Sequence, residues 1–369
     1  MIVGLTYNLK GDYGGKNGPE DSDAEFDSEE TVENLIFALK RCGYNVIRLP
    51  YGPDLLDRLR CEELDLIFNI AEGLEGRNRE SIVPAILEFL GIPYIGSDPL
   101  TLGLALDKAT AKAVVAAHGI PTPRFLKAES PGELSFDGQS IYDHAQSPQR
   151  LNFPVFVKPN CEGSSKGIRN SSKVDDFPSL FNMVKLITRV YRQPALVEEF
   201  LDGREFSIGI IGNEELTVFP MLEVEPDYQV NPGEFVYSYE TKSQNLERFT
   251  CPANIPQELE DRIRAIACEA HRILSCRDFS RIDVRLDSRG DPYFLEINPL
   301  PGLSQVSLFP LVASAAGVSF VELIDRIVSI AIERLKTGLK TEREAFEGGP
   351  EVYGLEMADV PQGYRHKRA

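Results

Sequence analysis

The 369 residues carry 57 acidic and 39 basic side chains, a net charge of −18 at pH 7. That balance argues against a nucleic-acid surface, whose electrostatic footprint is basic. A hydrophobic content of 42% is ample for a packed core and suggests two or three lobes. The chain has no apolar run long enough to span a membrane, and MIVGLTYNL is too short for a signal region, so a cytoplasmic location is expected. The 6 cysteines are scattered without a CxxC pair and there are only 4 histidines, which leaves zinc and a disulfide framework unsupported.

In chain order, strand and helix alternate through the first hundred residues: Ile2 to Tyr7, Thr31 to Arg41, Asn45 to Leu49, Leu64 to Ile70. Val32, Leu35, Ile36 and Leu39 recur at helical spacing, and Asp27 with Glu30 stands like a capping box before them. This βαβ texture predicts a parallel sheet. The segment GDYGGKNGPEDSDAEFDSEE, ahead of that helix, reads as an acidic loop able to move over a site or as a disordered connection. A helix over Ser81 to Leu90 follows, then one over Asp107 to His118 closed by Gly119. Thr122 and Pro123 mark a lobe boundary, and from Phe153 short strands and glycine loops predict antiparallel structure. Helix returns over Pro256 to Ser275, with Leu259, Ile263, Ile266, Ala270 and Ile273 as its buried stripe, and from Thr337 a loosely held tail is expected. The expected division is 1–121, 122–210, 211–336 and the tail 337–369.

The stretch Phe279 to Gly302, FSRIDVRLDSRGDPYFLEINPLPG, reads as a β-hairpin. Ile282, Val284 and Leu286 alternate with Arg281, Asp283 and Arg285, while Leu295 and Ile297 alternate with Glu296 and Asn298. With a loop over Asp287 to Gly290, Leu286 opposes Asp291, and Asp283 shares a sheet face with Glu296 and Asn298. Two carboxylates and an amide oxygen are hard donors suited to Mg²⁺, which retains waters and phosphates in its other positions.

Lys158 ends a strand, and Gly163-Ser164-Ser165-Lys166-Gly167 follows it with small residues and backbone N–H groups that can wrap polyphosphate. Alone, such a loop also serves as a plain hairpin connection, and it is neither a Walker loop nor a Rossmann fingerprint. Order supplies the meaning. GIPYIGSDPLTLGLALDK, FPVFVKPNCEGSSKGI, LVEEFLDGREFSIGII, Cys251 to Ala253, RIDVRLD and LEINPLPGLSQVSLFP occur in the sequence typical of the ATP-grasp superfamily. Within it the chain resembles the D-alanine-D-alanine ligases from about Leu64 to Leu335.

The resemblance implies an α/β fold of three lobes, with an N-terminal parallel-sheet βαβ domain and two lobes that clamp ATP. It implies two Mg²⁺ ions, small-molecule carboxylate and amino-acid substrates, and a homodimer. Carried over by position, Lys108 and Lys158 contact phosphates, Glu198, Leu201 and Glu205 line the adenine and ribose pocket, and Glu162, Ser164, Ser165, Glu199, Lys242 and Glu296 complete the ATP-binding set. Lys242 lies on a closing loop within Tyr237 to Arg248; Asp283, Glu296 and Asn298 are metal ligands; Arg281 stabilises the reacting oxyanion. Ser164 and Lys242 join Arg281 as catalytic candidates, and Gly302, Ser307 and Leu308 match the second-substrate region. The implied reaction is attack of a carboxylate on the ATP γ-phosphate, then attack of an amine on the acyl phosphate.

Three departures concern the amino-acid substrates. The family's histidine-glycine and Gly-Glu-Asp-Gly motifs are replaced by NIAEGLEGRNRES, Asn69 to Ser81, which brings Glu72, Arg77 and Arg79; two arginines there suit a substrate carboxylate. Ser243 stands where a tyrosine linked to Ser164 is usual, so that link is missing or remade. The acidic residue that holds the first amino group has no clear equivalent, with Glu25, Asp27, Glu29 and Glu30 all open.

Overall fold

The structure, a computed structural model, describes residues 1–11, 19–143, 149–228, 230 and 234–347, with side chains described up to 337. Part of the acidic loop (12–18) and most of the expected tail (348–369) lie outside the described residues. The first section runs β1 (Ile2–Tyr7), α1 (Glu29–Arg41), β2 (Asn45–Pro50), α2 (Leu55–Cys61), β3 (Leu66–Asn69), α3 (Ile82–Leu90) and β4 (Tyr94–Ile95). Its strands form an all-parallel sheet in the order β2-β1-β3-β4, as the βαβ texture predicts. Helix α1 buries the stripe Val32, Leu35, Ile36 and Leu39. Its cap is Ser28, whose Oγ accepts the Thr31 N–H at 3.1 Å, rather than Asp27.

Two further helices, α4 (Pro99–Leu106) and α5 (Lys108–Ala117), follow. Asp107 starts α5 by accepting the Thr110 N–H at 3.1 Å, which orients Lys108 at the first helical position. The middle section holds β5 (Phe125–Ala128), a small sheet of β6 (Leu134–Phe136), β7 (Ile141–Asp143) and β8 (Arg150–Leu151), then β9 (Val155–Pro159), β10 (Lys173–Val174), α6 (Phe177–Val190) and β11 (Ala195–Glu199). Strands β10-β9-β11-β5 form an antiparallel sheet. Helix α6 covers one face through Leu180, Met183, Val184 and Ile187. Those residues sit at helical spacing, a signal the strand-only expectation for this section passed over.

The last section holds β12 (Glu205–Gly212), β13 (Leu216–Val218), β14 (Leu222–Pro226), α7 (Tyr239–Ser243), β15 (Glu247–Thr250), α8 (Gln257–Ile273), β16 (Phe279–Leu286), β17 (Pro292–Asn298), α9 (Leu308–Ala315) and α10 (Phe320–Glu347). The antiparallel order is β15-β14-β12-β16-β17, with β13 on β12. One face packs Phe206, Ile208, Ile282, Val284, Phe294 and Ile297 against Ile263, Ile266 and Ala270 of α8, and Ala111 and Val115 of α5 join the same core. Each large apolar side chain buried there contributes about 1.5–3 kcal/mol.

Three expected boundaries shift. The division at 210 falls inside β12, which pairs with β16 from Glu205↔Arg285 to Ile211↔Phe279 and so belongs whole to the last sheet. The division at 121 separates α5 from the core it helps to build. At the C-terminus, helix α10 continues through Thr337 to Glu347 where a loose tail was expected. Met1–Ala331 forms one compact unit, and a second begins at Ile332. All 6 cysteines are free thiols, and among the described residues no helix is long and apolar enough to cross a membrane.

Candidate active site

The β16–β17 hairpin reaches the expected face by a different register. Leu286 opposes Pro292 rather than Asp291, a slip that by itself would turn Glu296 away from Asp283. A bulge restores the pairing: Val284 opposes Phe294, then Asp283 opposes Glu296, leaving Leu295 as the extra residue. Leu295 therefore lines the cleft beside Glu296 instead of sharing the core face of Ile297. Arg281 opposes Asn298 two positions further, and Ser207 of β12 opposes Asp283 from the other side.

These strands form one wall of a cleft. Arg281 pairs with Asp283 at 2.8 Å, and the Asn298 amide donates to Asp283 at 3.3 Å. Lys108 and Lys158 reach Glu296 Oε2 at 3.6 and 3.9 Å. Lys158 also pairs with Glu198 at 2.9 Å, and Glu198 with the fully buried Lys112 at 2.9 Å. Lys112 went unnoticed in the sequence although it follows Lys108 by one helical turn in DKATAK. Glu198, Glu199, Leu201 and Glu205 all line the cleft; Glu198 is there a partner of lysines, Glu205 is paired to the unforeseen Arg285 at 3.1 Å and Glu199 to Arg124.

The opposite wall is the glycine loop after β9. Ser164 and Ser165 adopt φ +48° and +59°, a left-handed pair that turns successive backbone N–H groups into one concavity. Lys108 Nζ donates to the Glu162 carbonyl, drawing helix α5 and this loop together. The segment around α7 closes onto the loop by several bonds: Ser165 Oγ to Tyr237 O at 3.0 Å, Tyr239 N–H to Ile168 O at 2.9 Å, and Ser238 Oγ to Asn170 at 2.7 Å. Ser243 takes no part, being bonded to Glu240 O, so the link absent with the family's tyrosine is remade through Ser165 and the Tyr237 backbone. Lys242 Nζ lies 4.6 Å from the centre of the Tyr237 ring.

Charge in the cleft is arranged around Glu296. Burial opposes its ionisation, but Lys108, Lys158, Arg281 and Lys242 override this and hold its carboxyl at about 2. Burial, reinforced by Arg281, pulls Lys242 down to about 8. Burial likewise lowers Lys112 to about 8 against the pull of Glu198. Asp283, Glu296 and Asn298 thus present two carboxylates and an amide on one face, with ionisation of Glu296 favoured by the cations around it, a donor set that fits Mg²⁺.

A second cleft adjoins the first at Ser164, which lines both. Gly302 and Ser307 border it together with Glu25, Asp27 and Glu30, whereas Leu308 lines the first cleft. Ser307 and Ser304 are hydrogen-bonded through their hydroxyls at 2.7 Å. Of the open acidic positions, Glu29 is engaged by Arg48. Burial raises Asp27 to about 7, against the pull of Lys10.

The arginines expected to take a substrate carboxylate are otherwise engaged. Arg77 is 61% exposed and pairs with Asp107 at 2.9 Å, lining neither cleft. Arg79 is buried with its guanidinium held by Glu25, Glu162 and the Cys161 carbonyl. Glu72 also lines neither cleft; it lies with Glu25 and Glu80, an oxygen of each within 4.8 Å of the others. Burial, then Glu80 and Glu25, holds Glu72 well above the usual carboxylate range.

A cleft between two antiparallel sheets, with lysines from a helix and a strand converging on a strand-borne carboxylate pair opposite a glycine loop, is the arrangement expected of an ATP-grasp enzyme. A family model described as D-ala D-ala ligase C-terminus matches residues 114–329, and the chain belongs to that family. It is 32% identical to the D-alanine–D-alanine ligase of Pelotomaculum thermopropionicum over 307 residues, 83% of this chain and 92% of the relative. It is 36% identical to the uncharacterized protein y4sG of Sinorhizobium fredii, over 82% of this chain and 88% of that one. The D-alanine–D-alanine ligase of Bacillus anthracis, solved in complex with ATP, shares the fold with a TM-score of 0.67 at 22% identity, covering 92% of this chain and 99% of that one.

Proposed function

We propose that this ligase joins the carboxylate of one amino acid to the amine of another, with D-alanine the first substrate to try for both places. The observation that carries the proposal is Ser164, the shared lining residue of two adjacent clefts, one built for polyphosphate and one large enough for amino acids. ATP occupies the first cleft, its phosphates between the glycine loop and Lys108 and Lys158, its base and ribose against Leu201, Glu199 and Glu205. Glu198 orients Lys158 rather than meeting the ribose. Asp283, Glu296 and Asn298 hold Mg²⁺, two ions, which when bound neutralise charge on the phosphates.

Lys108, Lys158 and Lys242 attract the γ-phosphate while the substrate carboxylate attacks it from the Ser164 side, breaking its bond to ADP, which leaves. Arg281 then stabilises the oxyanion formed as the amine, giving up a proton, attacks the acyl phosphate; the oxyanion collapses to the amide and expels inorganic phosphate. The α7 segment, held on the glycine loop, keeps water from that intermediate. Gly302 and Ser307 bind the second amino acid. The proposed assembly is a homodimer, to be checked by light scattering.

The test is phosphate release from ATP and Mg²⁺ across D- and L-amino acids, singly and in pairs, with product masses recorded. D-alanine turning over to its dipeptide is the expected result. Turnover only with another pair would move the substrate assignment and keep the ligase chemistry; absence of any nucleotide turnover would overturn both.

A further inference from the structure

Arg79 is the centre of a buried ionic knot joining three stretches of chain. One guanidinium nitrogen donates to Cys161 O at 2.7 Å, and the other meets Glu25 Oε1 at 2.6 Å and Glu162 Oε2 at 3.3 Å. The same Glu25 oxygen accepts the Gly163 N–H at 2.5 Å, and Lys166 completes the ring 2.9 Å from Glu162. The Arg79 and Glu25 side chains are each 4% exposed. A Cβ at position 163 would stand 2.8 Å from Glu25 Oε1, so a larger residue there would displace this carboxylate. At the far end of the loop Asp21 accepts the Gly167 N–H at 2.8 Å and is itself held by the Tyr191 hydroxyl. Between these anchors lie Ser164 and Ser165 in the left-handed conformation that non-glycine residues keep only when their surroundings impose it.

We propose that Arg79 is a positioning residue for the nucleotide: with Glu25 as intermediary, it clamps the loop Cys161–Gly167 in the shape that cradles polyphosphate. The proposal rests on the ligase reading above and adds a role for a residue that touches no substrate. The geometry requires a guanidinium, because a planar fork meets a carbonyl on one arm and two carboxylates on the other, whereas an ammonium is a single point of charge. Glu25 also lines the second cleft, so the clamp ties the phosphate loop to the amino-acid side of Ser164.

Removing the guanidinium outright would leave two buried carboxylates with Lys166 as their shared cation, so the test variant is Arg79→Lys in the full chain. Two readouts are compared with wild type: exchange of the 163–167 backbone amides without nucleotide, and affinity for Mg·AMP-PNP by calorimetry. Arg79→Lys should speed exchange in the loop and weaken AMP-PNP binding, each by about tenfold, while β9 and β11 keep their protection. A merely structural role would instead lower protection throughout. Should Arg79→Lys not fold, Glu25→Gln keeps the acceptor for Gly163 and loses the charge, and should move both readouts in the same direction by about threefold. A folded variant with wild-type loop exchange and wild-type AMP-PNP affinity overturns the clamp. Failure of the wild type to bind AMP-PNP overturns the nucleotide reading instead, and the exchange result still decides whether Arg79 holds the loop.

Discussion

The strand-borne cleft and the loop Asn69 to Ser81 are both crowded with charge, yet they use it in opposite ways. In the cleft, Lys108, Lys158, Arg281 and Lys242 all act on one carboxylate, Glu296, on a wall open to a ligand, although Lys158 is also paired with Glu198 and Arg281 with Asp283. In the loop, Arg79 is buried and matched by Glu25 and Glu162, while the exposed Arg77 is paired with Asp107, and neither lines a cleft. An arginine near a cleft therefore says little about substrate until its partners are known. Buried pairs are costly to desolvate and persist here as fasteners between segments rather than as binding groups.

The two faces of β17 give the largest effects by which this contrast can be tested. Phe294→Ala, on the core face, should lower unfolding free energy by about 3–5 kcal/mol, seen as a shift in the urea midpoint. Glu296→Ala, two residues on, should leave that midpoint almost unmoved while cutting Mg²⁺-dependent ATP turnover by about 10²–10³-fold. Unchanged turnover would remove the metal assignment.

A smaller effect concerns Lys242. It is charged below about 8 and loses its proton above it, so the KM for ATP should rise as pH climbs past 8, by at most about tenfold per unit. Arg281 pushes its proton off, while Asp283, Glu296 and Glu205 hold it on. Lys242→Arg stays charged throughout and should flatten that rise; a rise that persists in the variant would point to Lys112, the other lysine lowered to about 8. Smallest of all is Arg77→Ala. Arg77 is the exposed partner of a buried Asp107, which keeps its hydrogen bonds from Asn160 and the Thr110 N–H, so the change should alter stability by only about 1 kcal/mol and leave the KM for amino-acid substrates where it was; a several-fold rise in that KM would return Arg77 to the substrate site.

The sequence by itself determined the parallel first sheet, the hairpin, and the facing of Asp283, Glu296 and Asn298. These depend on periods of 2 and 3.6, and local side-chain direction follows from them. Even there the outcome was reached through two compensating offsets, a longer turn and a bulge at Leu295, because alternation fixes which residues share a face but not where a ladder slips. Helix α6, α5's place in the last core and the whole of β12 in the last sheet depended on packing between distant segments. Tertiary structure alone decided the partners of Arg79, Glu72 and Glu198. They sit on loops or inward-facing positions where no periodicity constrains direction, and a charged side chain there settles on whichever opposite charge the fold brings within reach.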